Sequence, residues 1–192
     1  MEDTRKLIAS VKSPSPQQNS RSNIVYEILK SKLPESEKTI NRVFDDVSSI
    51  TGAGFETTAG ALRVALFHVF DNQEILQRLR AELSTVDTRN LKVFEQLPYL
   101  RAVLMEGLRI SPALGTRMAR IAPDRDLLYG NWRIPAGTPV GMTLVLLHVD
   151  ENMYPEPRRF NPDRWLNTDG QQKPDKAFAP FLRGTRACLG MQ

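Results

Sequence analysis

The stretch Phe181-Leu182-Arg183-Gly184-Thr185-Arg186-Ala187-Cys188-Leu189-Gly190 holds the single cysteine of this 192-residue chain. A lone cysteine is most often a small buried hydrophobe. This one sits among glycines, two residues after an arginine, in a segment with neither helix nor strand periodicity. Glycines permit positive φ and close backbone approach, so such a loop can fold beneath a flat ligand with N–H groups aimed at the sulfur. Arg186 favours the thiolate and can also meet an anionic group.

Upstream, Glu106-Gly107-Leu108-Arg109 lies in a run with Leu100, Val103, Leu104, Met105, Leu108 and Ile110. The periodicity predicts a helix over Leu97–Ile110, entered through Pro98 and apolar on nearly every side, hence buried. A Glu–Arg pair three residues apart on a helix surface contributes only about 0.2–0.5 kcal/mol. A buried pair survives only with further hydrogen bonds, so a third partner is expected.

A longer helix is predicted from a Ser36 N-cap to about Phe70, carrying Ala53-Gly54-Phe55-Glu56-Thr57-Thr58 at its middle. Gly52 and Gly54 each cost roughly 0.8–1 kcal/mol relative to Ala in a helix interior, which suggests close approach by another group or a local distortion. Tight helix packing accounts for glycines equally well. An acid and an alcohol beside such a site can pass protons, and a threonine can back-bond to its own helix.

The remaining chain fills in around these segments. Residues 1–22 are polar, with two Ser-Pro pairs, and read as a linker or loop. A short helix from Ile24 stops near Pro34, and another spans about Glu74–Leu83. After Pro112, Leu127–Tyr129, Trp132–Ile134 and Val140–Val149 read as short strands, and Asn152–Gln192 as coil with short turns. The fold class is mainly α with a small antiparallel β-sheet. Apolar residues make up 41% and charged residues 25%, which excludes wholesale disorder. A net charge of +4, scattered and without interleaved aromatics, gives no sign of nucleic-acid binding. One cysteine excludes an intrachain disulfide, and no run is apolar enough for a signal peptide or membrane span.

The spacing of Phe181, Gly184, Arg186, Cys188 and Gly190 resembles the haem-binding signature of the cytochrome P450 family, in which cysteine thiolate ligates iron. Glu106, Arg109 and Arg164, the last within Phe160-Asn161-Pro162-Asp163-Arg164-Trp165, resemble the family's structural triad. Asp163 stands where the family more often has Glu. Ala53-Gly54-Phe55-Glu56-Thr57 is similar to its oxygen-side helix motif.

The resemblance implies haem b with its iron on Cys188, Arg186 on a propionate, and Phe181 near the sulfur. Arg120, rather than Arg117, fits a second propionate contact. It implies a groove for O2 at Ala53–Gly54, proton supply through Glu56 and Thr57, and a triad that locks the cysteine loop to the helical core. The implied organisation is a partial P450 haem domain over residues 23–192, similar to filamentous-fungal microsomal members of secondary metabolism. Val47, Ala113, Leu114 and Thr116 are expected near an apolar substrate pocket.

The implied reaction inserts one oxygen atom from O2 into an apolar small molecule. Electrons come from NADPH-cytochrome P450 reductase at the cytoplasmic face of the endoplasmic reticulum membrane, with anchoring through an N-terminal segment outside this chain. The family's N-terminal half and the helix after the cysteine loop are expected to be missing, so this chain alone is not expected to turn over substrate. A haem-thiolate isomerase or dehydratase, or a truncated haem-binding product without enzymatic activity, remain as alternatives.

Overall fold

The computed structural model describes residues 5–6, 24–87, 90–111, 114–170, 175 and 177–191. The expected linker over 1–22 and the pocket residue Ala113 therefore lie outside the described residues, Arg5 and Lys6 excepted. The chain forms two compact units, residues 1–56 and 57–192.

In the first unit, helix α1 (Ile24–Lys30) is followed by a 3-10 turn, Glu35–Lys38, and by the start of α2 (Ile40–Asp71). Val25 and Val43 are buried together, with Ile28, Leu29, Phe44 and Val47 packed around them. Ser36 does not cap the long helix, because it falls inside the 3-10 turn. Thr39 does so instead: its Oγ1 accepts the Arg42 N–H at 3.3 Å. A Cβ built on Gly52 or Gly54 would meet nothing within 4 Å, so these glycines accommodate no neighbour among the described residues.

In the second unit three helix entries have identifiable side-chain partners. Asn72 Oδ1 accepts from the N–H groups of Glu74 and Ile75 at the start of α3 (Gln73–Leu83). Asn90 does the same for Lys92 in the short α4 (Leu91–Phe94), an element the periodicity missed. Helix α5 (Pro98–Ile110) begins on Pro98, which has no N–H to lose. The next two N–H groups, of Tyr99 and Leu100, donate to Glu82 Oε1 and Oε2 at 2.8 and 2.7 Å. A carboxylate from α3 thus satisfies donors and dipole together at the α5 N-terminus.

Val69, Ile75, Tyr99, Val103 and Phe160 form one buried cluster, and Ala102, Tyr154 and Trp165 another. Burial of α5 is not uniform. Its inward side carries Tyr99, Ala102, Val103, Glu106, Gly107 and Arg109, while Leu104 stays exposed.

Strands β1 (Leu127–Tyr129) and β2 (Trp132–Ile134) pair antiparallel, Leu127 opposite Ile134 and Tyr129 opposite Trp132. The turn between them uses Gly130 at φ +54°. The expected strand over Val140–Val149 is a correction. Only Val140 pairs, in an isolated bridge with Arg120, and Leu144–His148 forms a short helix, α6. A brief apolar run cannot be told apart as strand or helix by periodicity. Here the tertiary surroundings decide: Leu144, Val145 and His148 face one cavity at helical spacing, and Leu146 is exposed. From Asn152 onward the described residues are coil punctuated by 3-10 turns at Pro162–Trp165, Gly184–Arg186 and Leu189–Met191, as the sequence suggests.

Candidate functional site

A cavity of about 510 Å³ opens within the second unit, inside the ~300–1,000 Å³ range of small-molecule and cofactor sites. Pro180, Phe181, Leu182, Arg186, Cys188 and Gly190 contribute one stretch of its wall, and Thr57, Thr58, Ala61, Leu62 and Ala65 of α2 another. Leu104, Leu108 and Ser111 from α5 and its end, Leu114, Met118, and Leu144, Val145 and His148 of α6 complete it.

The cysteine loop is shaped by its backbone. Leu182 and Gly184 both adopt positive φ, +61° and +75°. Glycine takes that conformation freely, while for leucine it is uncommon and marks a constrained turn. The Cys188 N–H donates to the Phe181 carbonyl at 2.8 Å, closing the loop on itself. Cys188 is left exposed, as is Arg186 two residues earlier. A Cβ on Gly190 would stand 3.8 Å from Cys188 Sγ, ordinary contact.

The expected acid–base cluster is assembled and buried. Glu106 and Arg109 are 0% and 2% exposed. Arg109 Nε and Nη2 donate to the two carboxylate oxygens of Glu106 at 2.9 and 2.8 Å. Arg164 Nε donates to Glu106 Oε1 at 2.9 Å, and its Nη1 reaches the Pro155 carbonyl. The third partner that burial demands is therefore present. Two more donors had no clear sequence signal: the Asn161 N–H to Oε1 at 3.0 Å, and Trp165 Nε1 to Oε2 at 2.9 Å. Burial, the largest influence, pushes the Glu106 carboxyl up. Hydrogen bonds from Arg109, Asn161 and Arg164 outweigh it and hold the carboxyl below its ordinary range. Neither Glu106 nor Arg109 lines the cavity.

Other expected residues are placed as follows. Thr57 lines the cavity, and Glu56, Ala53 and Gly54 precede it on α2 as exposed residues outside the lining. Arg120 turns its guanidinium onto the carbonyls of Ala119 and Met118. Leu114 lines the cavity, Thr116 does not, and Val47 belongs to the Val25–Val43 cluster. Several lining residues escaped the sequence reading, among them His148, Ser111 and Met118. His148 is buried at the end of α6, a segment taken for a strand. Ser111 has a buried hydroxyl without a hydrogen-bond partner among the described residues. Met118 adds a flexible apolar group.

The residues fit a haem. The lining is mostly apolar, with one thiol and one guanidinium on the same loop, the donor set that a flat, iron-centred, propionate-bearing group requires. Among the described residues no three His, Cys, Asp or Glu side chains converge, so a metal bound by protein alone has no ready cage.

Comparison with known proteins agrees. The cytochrome P450 family model matches residues 2–192. N-acetyltryptophan 6-hydroxylase ivoC of Emericella nidulans is 42% identical over 176 residues, 85% of this chain and 34% of that protein. Cytochrome P450 monooxygenase MO6277 of Ascocoryne sarcoides is 38% identical over 186 residues, 94% of this chain and 35% of that protein. A crystal structure of a cytochrome P450 (CYP102L1) superposes with a TM-score of 0.77 at 22% identity, covering 99% of this chain and 44% of that one. The chain thus spans about a third of the length of the curated relatives it matches. With the family match running from one end of the sequence to the other, the chain belongs to the cytochrome P450 family.

Proposed function

We propose that the protein carrying this chain is a haem-thiolate monooxygenase that inserts one oxygen atom from O2 into an apolar small molecule. The observation that carries this reading is the cavity itself, walled by both the Cys188 loop and the Thr57 stretch of α2. Haem b, when bound, supplies O2 binding and one-electron chemistry at its iron.

Cys188 holds the iron as thiolate. Arg186 beside it would pair with a propionate, and Phe181 lines the same cavity wall. Thr57, with Glu56 before it on α2, takes up and passes protons on the oxygen side. Leu62, Leu104, Leu108 and Leu114 make the cavity lining apolar, which favours an apolar substrate. The Glu106 cluster keeps the coil that leads to Cys188 in register with α5.

Electrons come from NADPH-cytochrome P450 reductase. The fungal relatives support a place in secondary metabolism, and attachment to the cytoplasmic face of the endoplasmic reticulum is proposed beside it. Among the described residues no helix is long and apolar enough to cross a membrane.

The test is spectroscopic. The reduced carbon monoxide complex of the haem-loaded protein should show the red-shifted Soret band of thiolate ligation. Cys188→Ser should abolish it. A serine variant that keeps the band has another ligand, and the reading fails.

A further inference from the structure

The buried ion cluster and the thiol loop are separated along the chain, yet one residue, His148, bridges them through its carbonyl and its ring. Arg109 spends two of its nitrogens on Glu106. A third, Nη1, donates to the His148 carbonyl at 2.6 Å and thereby closes the end of α6. The His148 ring is 3% exposed and reaches the opposite way. Its Nε2 accepts the Ala179 backbone N–H at 3.4 Å. Ala179 in turn accepts from the Leu182 N–H at 3.0 Å, and Phe181 accepts from the Cys188 N–H at 2.8 Å. A continuous path therefore runs from Glu106 through Arg109, His148 and Ala179 to the turn at Leu182 and the backbone of Cys188. The ring is also clamped by Phe178, stacked at 5.8 Å, and by Tyr154, edge-on at 6.2 Å.

We propose that His148 is a positioning residue for the Cys188 loop, holding Ala179 through a neutral imidazole whose proton sits on Nδ1. An imidazole nitrogen accepts a hydrogen bond only when it carries no proton. Protonation turns Nε2 into a donor facing the donor N–H of Ala179, and the contact becomes repulsive. The path then breaks at His148 while the Glu106 cluster stays intact. Burial, then the Arg109 guanidinium, hold its pKa below the ordinary histidine value; a hydrogen bond with the Arg109 backbone and the Asp175 carboxylate oppose them and are outweighed. Tyr154, also packed on the ring, stays neutral because burial raises its hydroxyl well above the usual range. Cys188 and Arg186 share the cavity wall with His148. The joint is thus set at neutral pH and released by acid. The proposal concerns the chain's own hydrogen bonds and holds with or without haem.

Hydrogen exchange on the 192-residue chain without haem, read by mass spectrometry and corrected for intrinsic rates, tests it. Two backbone amides separate the roles: Ala179, bound to His148, and Asn161, bound to Glu106. His148→Phe keeps an aromatic ring against Phe178 and Tyr154 and removes the acceptor. Ala179 and Cys188 should then exchange at least about tenfold faster, with Asn161 unchanged. His148→Gln, which retains an acceptor, should restore most of the protection. In the unsubstituted chain, protection at Ala179 should fall as pH drops through a value beneath the ordinary histidine pKa of about 6.5, before that at Asn161, and His148→Gln should remove this step. Equal protection of Ala179 in the Phe variant overturns the proposal. Joint loss at Ala179 and Asn161 in that variant also overturns it, showing a packing role only. If the Phe variant does not fold, the pH series on the unsubstituted chain decides: absence of a separate Ala179 step sinks the idea.

Discussion

The indole Nε1 of Trp165 donates to Glu106 Oε2 at 2.9 Å, and the ring is 1% exposed. Trp165 therefore serves the cluster twice, as a donor to a buried carboxylate and as apolar packing for Ala102 and Phe178. The carboxylate receives charged donors from α5 and from the coil, a backbone N–H and an indole. A buried ion pair alone is weak support for a fold. One whose lone pairs are all occupied fixes which segments meet.

Removing one charge from that cluster leaves the other uncompensated. Arg109→Ala should cost about 3–5 kcal/mol, read as a fall in denaturant midpoint or as failure to fold. Trp165→Phe keeps most of the packing and removes one donor, so about 1–3 kcal/mol is expected. A Trp165→Phe loss equal to that of Arg109→Ala would mean that packing, not hydrogen bonding, dominates at Trp165.

Acid should loosen the same cluster. The folded state holds Glu106 below its ordinary pKa. The unfolded chain therefore binds the proton more readily, and stability falls with pH. The contribution is complete above the unfolded carboxyl value of about 4.3 and is lost as pH drops through the lower folded value. Equilibrium unfolding followed from pH 7 to pH 3 should show this slope, and Glu106→Gln should flatten it while lowering stability at pH 7. An unchanged slope in the Gln variant would place the acid sensitivity elsewhere.

Gly107 packs where α5 meets α2. A Cβ there would stand 2.8 Å from Ala65 Cβ, too close for any real contact. Gly107→Ala gains about 1 kcal/mol in helix propensity. The clash is with a short side chain fixed to a helix backbone, which cannot swing away, so overpacking of about 1–3 kcal/mol should win. Thermal unfolding should show a lower midpoint. A stabilised Ala variant would mean that the two helices separate without cost.

Glu82 caps α5 from a different helix. Glu82→Ala leaves the Tyr99 and Leu100 N–H groups without their acceptor and should cost about 1 kcal/mol. Faster amide exchange should be confined to the first turn of α5. Loss of protection throughout the helix would show that Glu82 supports more than the cap.

Thr57 sits in the cavity wall with no place in the buried cluster. Thr57→Ala in the haem-loaded protein with its reductase should keep the thiolate spectrum while diverting consumed electrons to peroxide. Measuring NADPH use against product and peroxide checks this. Full coupling in the variant would remove Thr57 from proton handling.

Much of this was written in the sequence. The Leu97–Ile110 and Glu74–Leu83 helices follow from period and punctuation, because Pro98 and the apolar spacing act locally. The triad of Glu106, Arg109 and Arg164 was legible because a buried ion pair demands a third partner and the resemblance to the family's motif names Arg164 as that partner. The cysteine loop was legible because glycine, arginine and cysteine at that spacing restrict backbone and chemistry together.

Other features depended on long-range contact. Leu144–His148 is helical because its cavity-facing residues and the Arg109 bond to the His148 carbonyl select that geometry; its apolar run suits a strand equally well. Thr39 rather than Ser36 starts α2 because a 3-10 turn absorbs Ser36 first. Gly107, not Gly52 or Gly54, marks a close helix approach, since any glycine in a helix looks alike until its neighbour is in place. The bonds of Trp165 and Asn161 to Glu106 and of His148 to Ala179 join residues 55–59 and 31 positions apart. Sequence spacing specifies which groups need partners. Only the packed chain determines which distant donors arrive.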